Sequence, residues 1–145
     1  MNKENLYFNE YDDLTPRVIP GYELSSIMSN IFLSSVLDSK ADLLCIGSGT
    51  NNEVLTLAQG NDWHFYSLDP SKEMIELSST KIKNAGIQNR VDLICGGIDN
   101  LTLEKQVEAA TLFLVLARIL GNENKIKFLS AINKLIKLNG YFIYQ

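Results

Sequence analysis

Two glycines and a carboxylate are the residues of this chain whose types and spacing most clearly indicate chemistry. Gly47 and Gly49 follow the apolar segment 43–46, and Asp69 ends the next apolar segment, about 20 residues later. Glycines allow a sharp turn and let a ligand approach the backbone without a Cβ in the way. A helix that begins just beyond Gly49 directs free N–H groups toward that ligand. A carboxylate at this spacing suits a pair of ribose hydroxyls, so the pattern indicates a ligand of the adenosine type.

The composition is typical of a single globular domain with a modest negative charge. The chain has 145 residues, 46% of them hydrophobic, and a formal net charge of −4. This charge argues against a broad nucleic-acid surface. The longest apolar run, at 109–116, is too short to span a bilayer. Glu4 and Glu10 stand where a signal peptide needs a basic and then an apolar stretch. We therefore expect a cytoplasmic protein without membrane contact.

The elements that position these residues alternate between strand and helix. We expect residues 1–21 to form an N-terminal arm, loose or briefly helical at 1–13 and extended with prolines at 15–22, and residues 22–145 to form one domain. Strands separated by helices form a parallel sheet with right-handed crossovers. We predict an α/β fold, doubly wound, with strand order 3-2-1-4-5 and helices on both faces. The predicted strands are 42–46, 64–68, 91–95, 111–116 and 141–144, and the predicted helices are 22–37, 52–59, 70–86, 100–107 and 123–138.

The two cysteines are predicted to be reduced. Cys45 lies in the first predicted strand and Cys95 ends the third, and these strands are not neighbours in the predicted order. Their thiols are therefore expected to be too far apart to bridge, and both are expected to be buried. Neither cysteine has a histidine or another cysteine at the spacing of a metal site, so we predict no metal.

Four stretches of the chain are similar to the motifs of class I S-adenosylmethionine-dependent methyltransferases, and the resemblance covers residues 16–145. The stretches are the glycine motif at 44–50, the ribose motif at 66–74, the adenine-side loop at 94–101 and the fourth motif at 110–116. The resemblance implies a Rossmann-like sheet with S-adenosylmethionine as cofactor. It also implies these cofactor-binding residues: Gly47, Ser48, Gly49, Asp69, Pro70, Ile98, Asp99 and Leu116.

Several candidate residues also have a structural interpretation. Asp69 binds the ribose hydroxyls or caps the helix that follows it. Ile98 contacts the adenine ring or belongs to the core, and Asp99 contacts adenine or caps a loop.

Arg118, just past the fourth strand, holds an acidic acceptor or is an ordinary surface arginine. His64, the only histidine, lies at the far end of its strand and is not expected to act as a base. Because methyl transfer depends mainly on in-line positioning, the sequence does not identify the catalytic residues.

The chain departs from the family pattern around the cofactor and at its C-terminus. Cys45 replaces an acid that helps to orient the amino group of the cofactor, and Asn51 replaces a glycine, although asparagine tolerates left-handed backbone. Gly97 replaces an acid of the adenine-side loop, where Asp99 is placed to substitute. We expect the C-terminal antiparallel hairpin of the family to be missing, which leaves the sheet edge on the strand-four side unprotected. Either the chain is a fragment of a longer protein or a partner covers this edge, for example in a homodimer.

The resemblance predicts an S-adenosylmethionine-dependent methyltransferase that acts on an unidentified small or medium acceptor. One alternative is a degenerate or truncated methyltransferase-like domain that serves as a non-catalytic scaffold or dimerisation module. A second alternative is an NAD-dependent oxidoreductase, because that fold also uses a glycine turn and an acid. Two features argue against the oxidoreductase. A full helix precedes the first strand, and Asn52 replaces the third glycine that dehydrogenases need for helix–strand packing.

Overall fold

Five parallel strands form one sheet in the computed structural model, which describes residues 3–145 and the side chains of residues 10–145. Their order across the sheet is β3-β2-β1-β4-β5, which confirms the predicted α/β class and strand order. All four neighbouring pairs are parallel. The strands are β1 (Asp42–Ile46), β2 (His64–Asp69), β3 (Val91–Cys95), β4 (Val107–Leu112) and β5 (Ile136–Tyr144).

Helices cover both faces of this sheet, as predicted. They are α1 (Lys3–Val18), α2 (Tyr22–Val36), α3 (Asn52–Leu57), α4 (Lys72–Asn84) and α5 (Asn122–Leu135). Successive residues of a strand point to opposite faces, so Leu43 and Leu44 of β1 enter different cores. Leu43 packs with Leu57 between the sheet and α2, α3 and α4. Leu44 packs with Leu112 and Ile132 between the sheet and α5.

The N-terminal segment differs from the prediction. Residues 15–18 were expected to be extended, but they form the last turn of α1 and include Pro16. Proline removes only one N–H here, near the helix end, and Ile19 N–H still donates to Thr15 O at 3.0 Å. Tertiary packing of α1 outweighs that loss, because packing supplies most of the stability of a short helix. The chain then turns at Gly21, whose φ is 77°. Met1 and Asn2 of the expected arm lie outside the described residues.

The region around β4 was also predicted incorrectly. The strand runs over Val107–Leu112 instead of 111–116, because its pairing with β1 extends only to Ile46 and Leu112. The helix expected at 100–107 does not form. Ile98–Asn100 make a single 3₁₀ turn, residues 101–106 contain neither helix nor strand, and β4 begins at Val107. A continuous apolar run has no periodicity that marks its ends. Pairing with β1 sets those ends instead.

β5 is an edge strand and is longer than predicted. It begins at Ile136 rather than 141, and α5 correspondingly ends at Leu135 rather than 138. Its pairing with β4 is interrupted by a bulge between Val107 and Ala109. Within residues 3–145, no strand pairs with the outer side of β5 and no antiparallel hairpin follows it.

The cysteines are both free, but only Cys45 is buried. The expectation that Cys95 is buried is wrong, because Cys95 ends β3, which is the other edge of the sheet. Over the described part of the chain, no helix is long and apolar enough to cross a membrane. The same residues contain no group of three or more His, Cys, Asp or Glu side chains arranged to hold a metal ion.

Candidate functional site

The glycine turn after β1 is held tightly against the end of β2. The N–H groups of Gly47 and Ser48 both donate to Leu68 O, at 2.8 Å and 3.1 Å. Gly47 has a φ of 65°, and a Cβ at this position would overlap the Val115 side chain. A side chain at Gly47 is therefore disfavoured, both by the left-handed backbone conformation and by the Val115 methyl group that occupies the space.

Asn51 completes the turn in the place of a glycine. Its φ is 65°, so it adopts the left-handed conformation that its residue type was expected to tolerate. The side chain is fully buried, and its Oδ1 accepts a hydrogen bond from Ser67 Oγ at 2.6 Å. The backbone N–H of Asn51 donates to Ser48 O at 2.8 Å. These bonds stabilise the turn without the glycine that the family pattern has at this position.

Asp69, at the end of β2, joins the glycine turn to the start of α4. Its Oδ2 accepts from Gly49 N–H at 2.8 Å, and its Oδ1 accepts from Ser71 N–H at 2.9 Å. The cap of α4 is Ser71, whose Oγ accepts from Met74 N–H at 3.2 Å, so Asp69 holds the capping residue in place and does not itself cap the helix. Each carboxylate oxygen can accept a second hydrogen bond, so the side chain keeps capacity for a ligand hydroxyl.

A cavity of about 770 Å³ lies over this turn, at the carboxyl edge of the sheet. It brings together four of the predicted site residues, which are Gly47, Gly49, Asp69 and Pro70. Much of the remaining wall is apolar and comes from α1 and from the segment that follows β4. Residues of this wall include Tyr11, Leu14, Val18, Phe113 and Val115, with Arg118 adding a cation.

α1 is attached to the site by an ion pair that sequence reasoning did not identify. Asp12 Oδ2 accepts from Lys81 Nζ of α4 at 2.6 Å. Asp12 Oδ1 accepts from Asn52 Nδ2 at 2.8 Å and from Thr50 Oγ1. Burial alone raises the pKa of Asp12, but the hydrogen bonds from Lys81, Thr50 and Asn52 outweigh it and lower this pKa below its usual value. The N-terminal helix is thereby fixed over the glycine turn.

The other four predicted site residues do not line this cavity. Ser48 is buried in the turn, where its Oγ lies within hydrogen-bond distance of Ser67 Oγ, at 2.7 Å. Leu116 is half-buried and packs against the core on the α5 side. Ile98 belongs to that core, so it has the contacts of its structural alternative. Ile98 and Asp99 also line a separate cavity of about 490 Å³ beside α5.

Glu53 is a buried carboxylate beside the turn that the sequence did not identify. It lies in the first turn of α3, where its carboxylate accepts hydrogen bonds from Thr111 Oγ1 and from the Cys45 thiol. Burial raises the pKa of Glu53 to about 7, against the lowering effect of these two hydrogen bonds. A carboxylate thus lies beside Cys45, the position at which the resemblance implied that an acid was lost. The sequence signal that could have identified Glu53 is an acidic residue in the first turn of a predicted helix.

One protein family and several solved structures are similar to this chain. The family described as "Methyltransferase domain" matches residues 44–144. Among curated proteins, no sequence matches significantly. A solved S-adenosylmethionine-dependent methyltransferase from Clostridium acetobutylicum ATCC 824 is similar in structure, with a TM-score of 0.75 and 23% identity. The alignment covers 99% of this chain and 57% of that one.

Two further structures contain S-adenosylhomocysteine. A methyltransferase from Geobacter sulfurreducens has a TM-score of 0.67 and 17% identity, over 82% of this chain and 46% of that one. The N-methyltransferase NodS from Bradyrhizobium japonicum WM9 has a TM-score of 0.68 and 13% identity, over 84% and 59%. The chain therefore spans about half the length of the solved structures that it resembles. Because the family match covers most of the chain and includes the glycine turn, Asp69 and β5, this protein belongs to the methyltransferase-domain family and has the class I methyltransferase fold.

Proposed function

We propose that this chain binds S-adenosylmethionine in the cavity over the glycine turn and transfers the methyl group to a small or medium acceptor. The observation that carries the proposal is the convergence of Gly47, Gly49 and Asp69 on one cavity at the carboxyl edge of a parallel sheet. This edge is where ligands bind in open α/β folds. The family match supports the reaction type, and the structures with bound S-adenosylhomocysteine support the ligand.

The residues present fit such a ligand. Gly47 lines the cavity with backbone alone, and the Val115 side chain fills the space that a Cβ would take. Asp69 has both oxygens fixed by backbone N–H groups and retains acceptor capacity for the ribose hydroxyls. The volume of about 770 Å³ falls in the usual range of small-molecule sites. Ser48, Pro70, Ile98, Asp99 and Leu116 stay predicted cofactor residues, of which only Pro70 lines this cavity.

When it is bound, the cofactor supplies an electrophilic methyl group on a sulfonium. The work of the protein is then to position an acceptor in line and to exclude water. Leu14 and Val18 of α1 and Phe113 beyond β4 give the cavity an apolar wall suited to the second task. Arg118 lines the same cavity and supports an acceptor that carries an acidic group. The unpaired cysteines are consistent with the expected cytoplasmic location.

Neither alternative is favoured. An NAD-dependent oxidoreductase is not supported by the family match, and a pure scaffold does not need a cavity lined by the glycine turn and Asp69. Equilibrium dialysis with methyl-labelled S-adenosylmethionine tests the proposal, with S-adenosylhomocysteine and NAD as competitors. We expect retention of the label that S-adenosylhomocysteine displaces and NAD does not. Absence of retention by folded protein would contradict the proposed binding, and displacement by NAD would favour the oxidoreductase.

Transfer is tested separately from binding. Protein that retains the label is incubated with a panel of small acceptors, with and without carboxylate groups, and S-adenosylhomocysteine formation is measured. We expect turnover with at least one acceptor, and a loss of preference for acidic acceptors in Arg118→Gln. Binding without turnover across the panel would support the scaffold alternative.

A further inference from the structure

A second cavity lies between the three helices α1, α2 and α3. Its volume is about 420 Å³, within the usual range of small-molecule sites. Its wall includes Asp12 of α1, Glu23 and Ser26 of α2 and Leu55 of α3. We call it the helical cavity. Among the described residues, none lines both this cavity and the cavity over the glycine turn.

Ser26 brings a buried hydroxyl without a partner to the helical cavity. The residue is only 6% accessible and lines the cavity. On the same helix, Ser25 Oγ donates to Gly21 O at 3.1 Å, and Ser29 Oγ donates to Ser25 O at 2.8 Å. Ser26 Oγ makes no hydrogen bond with any residue that the structure describes, and the atom is not completely enclosed. Its open side therefore faces the cavity, where it offers a hydrogen bond to a ligand.

The charged groups of the helical cavity are acidic. Asp12 and Glu23 line it, and no described residue of its wall is a lysine, an arginine or a histidine. Lys81 Nζ balances Asp12 at 2.6 Å, whereas the Glu23 carboxylate has neither an ion pair nor a hydrogen bond within the described part of the chain. Burial raises the pKa of Tyr22 to about 12, so its phenol is uncharged at neutral pH. One negative charge is left unbalanced, which favours a ligand with a single positive charge.

The chemistry of the wall favours an organic ammonium over other cations. A hard metal ion takes six or more oxygen ligands, and residues 10–145 contain no group of three or more His, Cys, Asp or Glu side chains placed to hold one. A quaternary ammonium needs a cage of aromatic rings, and Tyr22 is the only aromatic residue among the described residues of the wall. A primary ammonium donates three hydrogen bonds, which suits the oxygens of Glu23 and Gln59.

We propose that the helical cavity binds a small primary amine that also carries a hydroxyl group. The ammonium pairs with the Glu23 carboxylate, and the hydroxyl hydrogen-bonds to Ser26 Oγ. Residues three apart on a helix have Cβ atoms about 5–6 Å from each other, so roughly four carbons separate the two polar groups of the ligand. Ile27 and Leu55 give these carbons an apolar wall.

This inference does not depend on the proposed methyl transfer. Neighbouring residues of α1 serve the two cavities, because Tyr11 and Thr15 line the cavity over the glycine turn and Asp12 and Pro16 line the helical cavity. The helical cavity is therefore a separate site. Amine binding needs no S-adenosylmethionine and is measured without it.

An NMR titration of the full chain with 4-amino-1-butanol, followed by ¹H–¹⁵N spectra, tests the proposal. 1,4-Butanediol and 4-hydroxybutanoate have the same chain length and are the neutral and anionic controls. We expect saturable shifts at the amides of Glu23, Ser26 and Thr56 with the amine. Both controls should bind at least about tenfold more weakly, because they lack the charge that pairs with Glu23.

Two pairs of variants separate the proposed contacts from general effects. Glu23→Gln should weaken amine binding about tenfold. Glu123→Gln is its matched control, because both glutamates lie in the first turn of a helix. Ser26→Ala should weaken binding about fivefold. Ser25→Ala, which removes a hydroxyl already bonded to Gly21 O, should bind like the original chain.

Circular dichroism confirms the fold of each variant. Absence of saturable binding by the folded chain would overturn the proposal, and so would shifts centred outside the helical cavity. Equal binding of the amine and 1,4-butanediol would contradict the cationic class of ligand. Equal effects of Glu23→Gln and Glu123→Gln would show that the amine binds elsewhere.

Discussion

The carboxyl edge of the sheet is built differently at the central strands β1 and β2, which we call the first half of the site, and at the strands β3 and β4 that flank them, which we call the second half. At the ends of β1 and β2, the Asp69 side chain ties the glycine turn to α4 through Gly49 N–H and Ser71 N–H. At the ends of β3 and β4, Ile98 and Leu116 instead pack into the core on the α5 side. The first half therefore holds polar groups in fixed positions around a cavity. The second half contributes apolar packing and, through the residues that follow β4, part of the wall of the same cavity.

This difference shows what a sequence motif can and cannot specify. A glycine turn and an acid mark a site when hydrogen bonds between them fix their geometry. A motif whose residues only need to face a ligand is less informative, because the same apolar side chains pack equally well in a core. Variants in each half measure how far this contrast holds.

The largest effect is expected at Gly47. In Gly47→Val, the side chain would overlap Val115 and a β-branched residue would have to adopt a φ of 65°. We expect a loss of about 3 kcal/mol in the free energy of unfolding, from overpacking and backbone strain together. Binding of S-adenosylhomocysteine should fall below detection. Denaturant unfolding and calorimetry measure the two effects.

Gly97→Val is the matched control from the other half. A Cβ at Gly97 meets no atom within 4 Å, and its φ of −99° is open to any residue. This variant should change stability by less than about 0.5 kcal/mol. If both variants lose stability and binding equally, the contrast between the two halves is wrong.

Glu53 should give the first half a distinctive pH dependence. Its pKa is about 7 in the folded chain, against 4.5 for the ordinary side chain. Between pH 4.5 and pH 7, Glu53 is therefore protonated in the folded state and ionised in the unfolded state. The contribution of Glu53 to stability is therefore complete below pH 4.5 and decreases as the pH rises to 7. The whole change is roughly 3 kcal/mol. Glu53→Gln should remove it, as measured by urea unfolding across this range.

Glu108→Gln supplies a control of opposite sign. Burial raises the pKa of Glu108, but hydrogen bonds from Lys137 and from the Asp42 backbone outweigh it and lower this pKa. The stabilisation from Glu108 is therefore present above the unfolded pKa and lost as the pH falls. Identical pH profiles for Glu53→Gln and Glu108→Gln would contradict the assignment of Glu53.

Asp69 and Asp99 compare the two halves by the same substitution. The Asp69 carboxylate accepts hydrogen bonds from two backbone N–H groups and is proposed to bind the ribose. Asp69→Asn removes its negative charge, so the affinity for S-adenosylhomocysteine should fall by about 2 kcal/mol. Asp99 lies beside α5, outside the cavity, and Asp99→Asn should change affinity by less than about 0.5 kcal/mol. Calorimetric titration separates them. An equal loss in both variants would restore Asp99 to the cofactor site.

The smallest effect is expected from the attachment of α1. Lys81→Met removes the donor to Asp12 at 2.6 Å while keeping the aliphatic stem. Because this pair is partly exposed, we expect a loss of about 1 kcal/mol in stability and a faster release of bound ligand. Stopped-flow displacement measures the release. An unchanged rate would mean that α1 does not limit ligand exchange.

Much of the first half could be predicted from the sequence. β1 has its predicted bounds, and β2 differs only by the inclusion of Asp69, because glycine, proline and polar residues punctuate those strands. Asn51 adopts the left-handed turn that its residue type allows. The ends of β4 could not be predicted, since an unbroken apolar run leaves them to pairing with β1. Glu53 was missed because its importance depends on burial between Cys45 and Thr111, which join only in the sheet.

The most direct test of the account follows the backbone amides by ¹H–¹⁵N NMR during titration with S-adenosylhomocysteine. Binding in the first half predicts the largest saturable shifts at Gly47 and Gly49, with weaker changes along α1 and little change in the groove beside α5. Shifts centred on Ile98, Asp99 and α5, or no shifts from a folded protein, would contradict the proposed site.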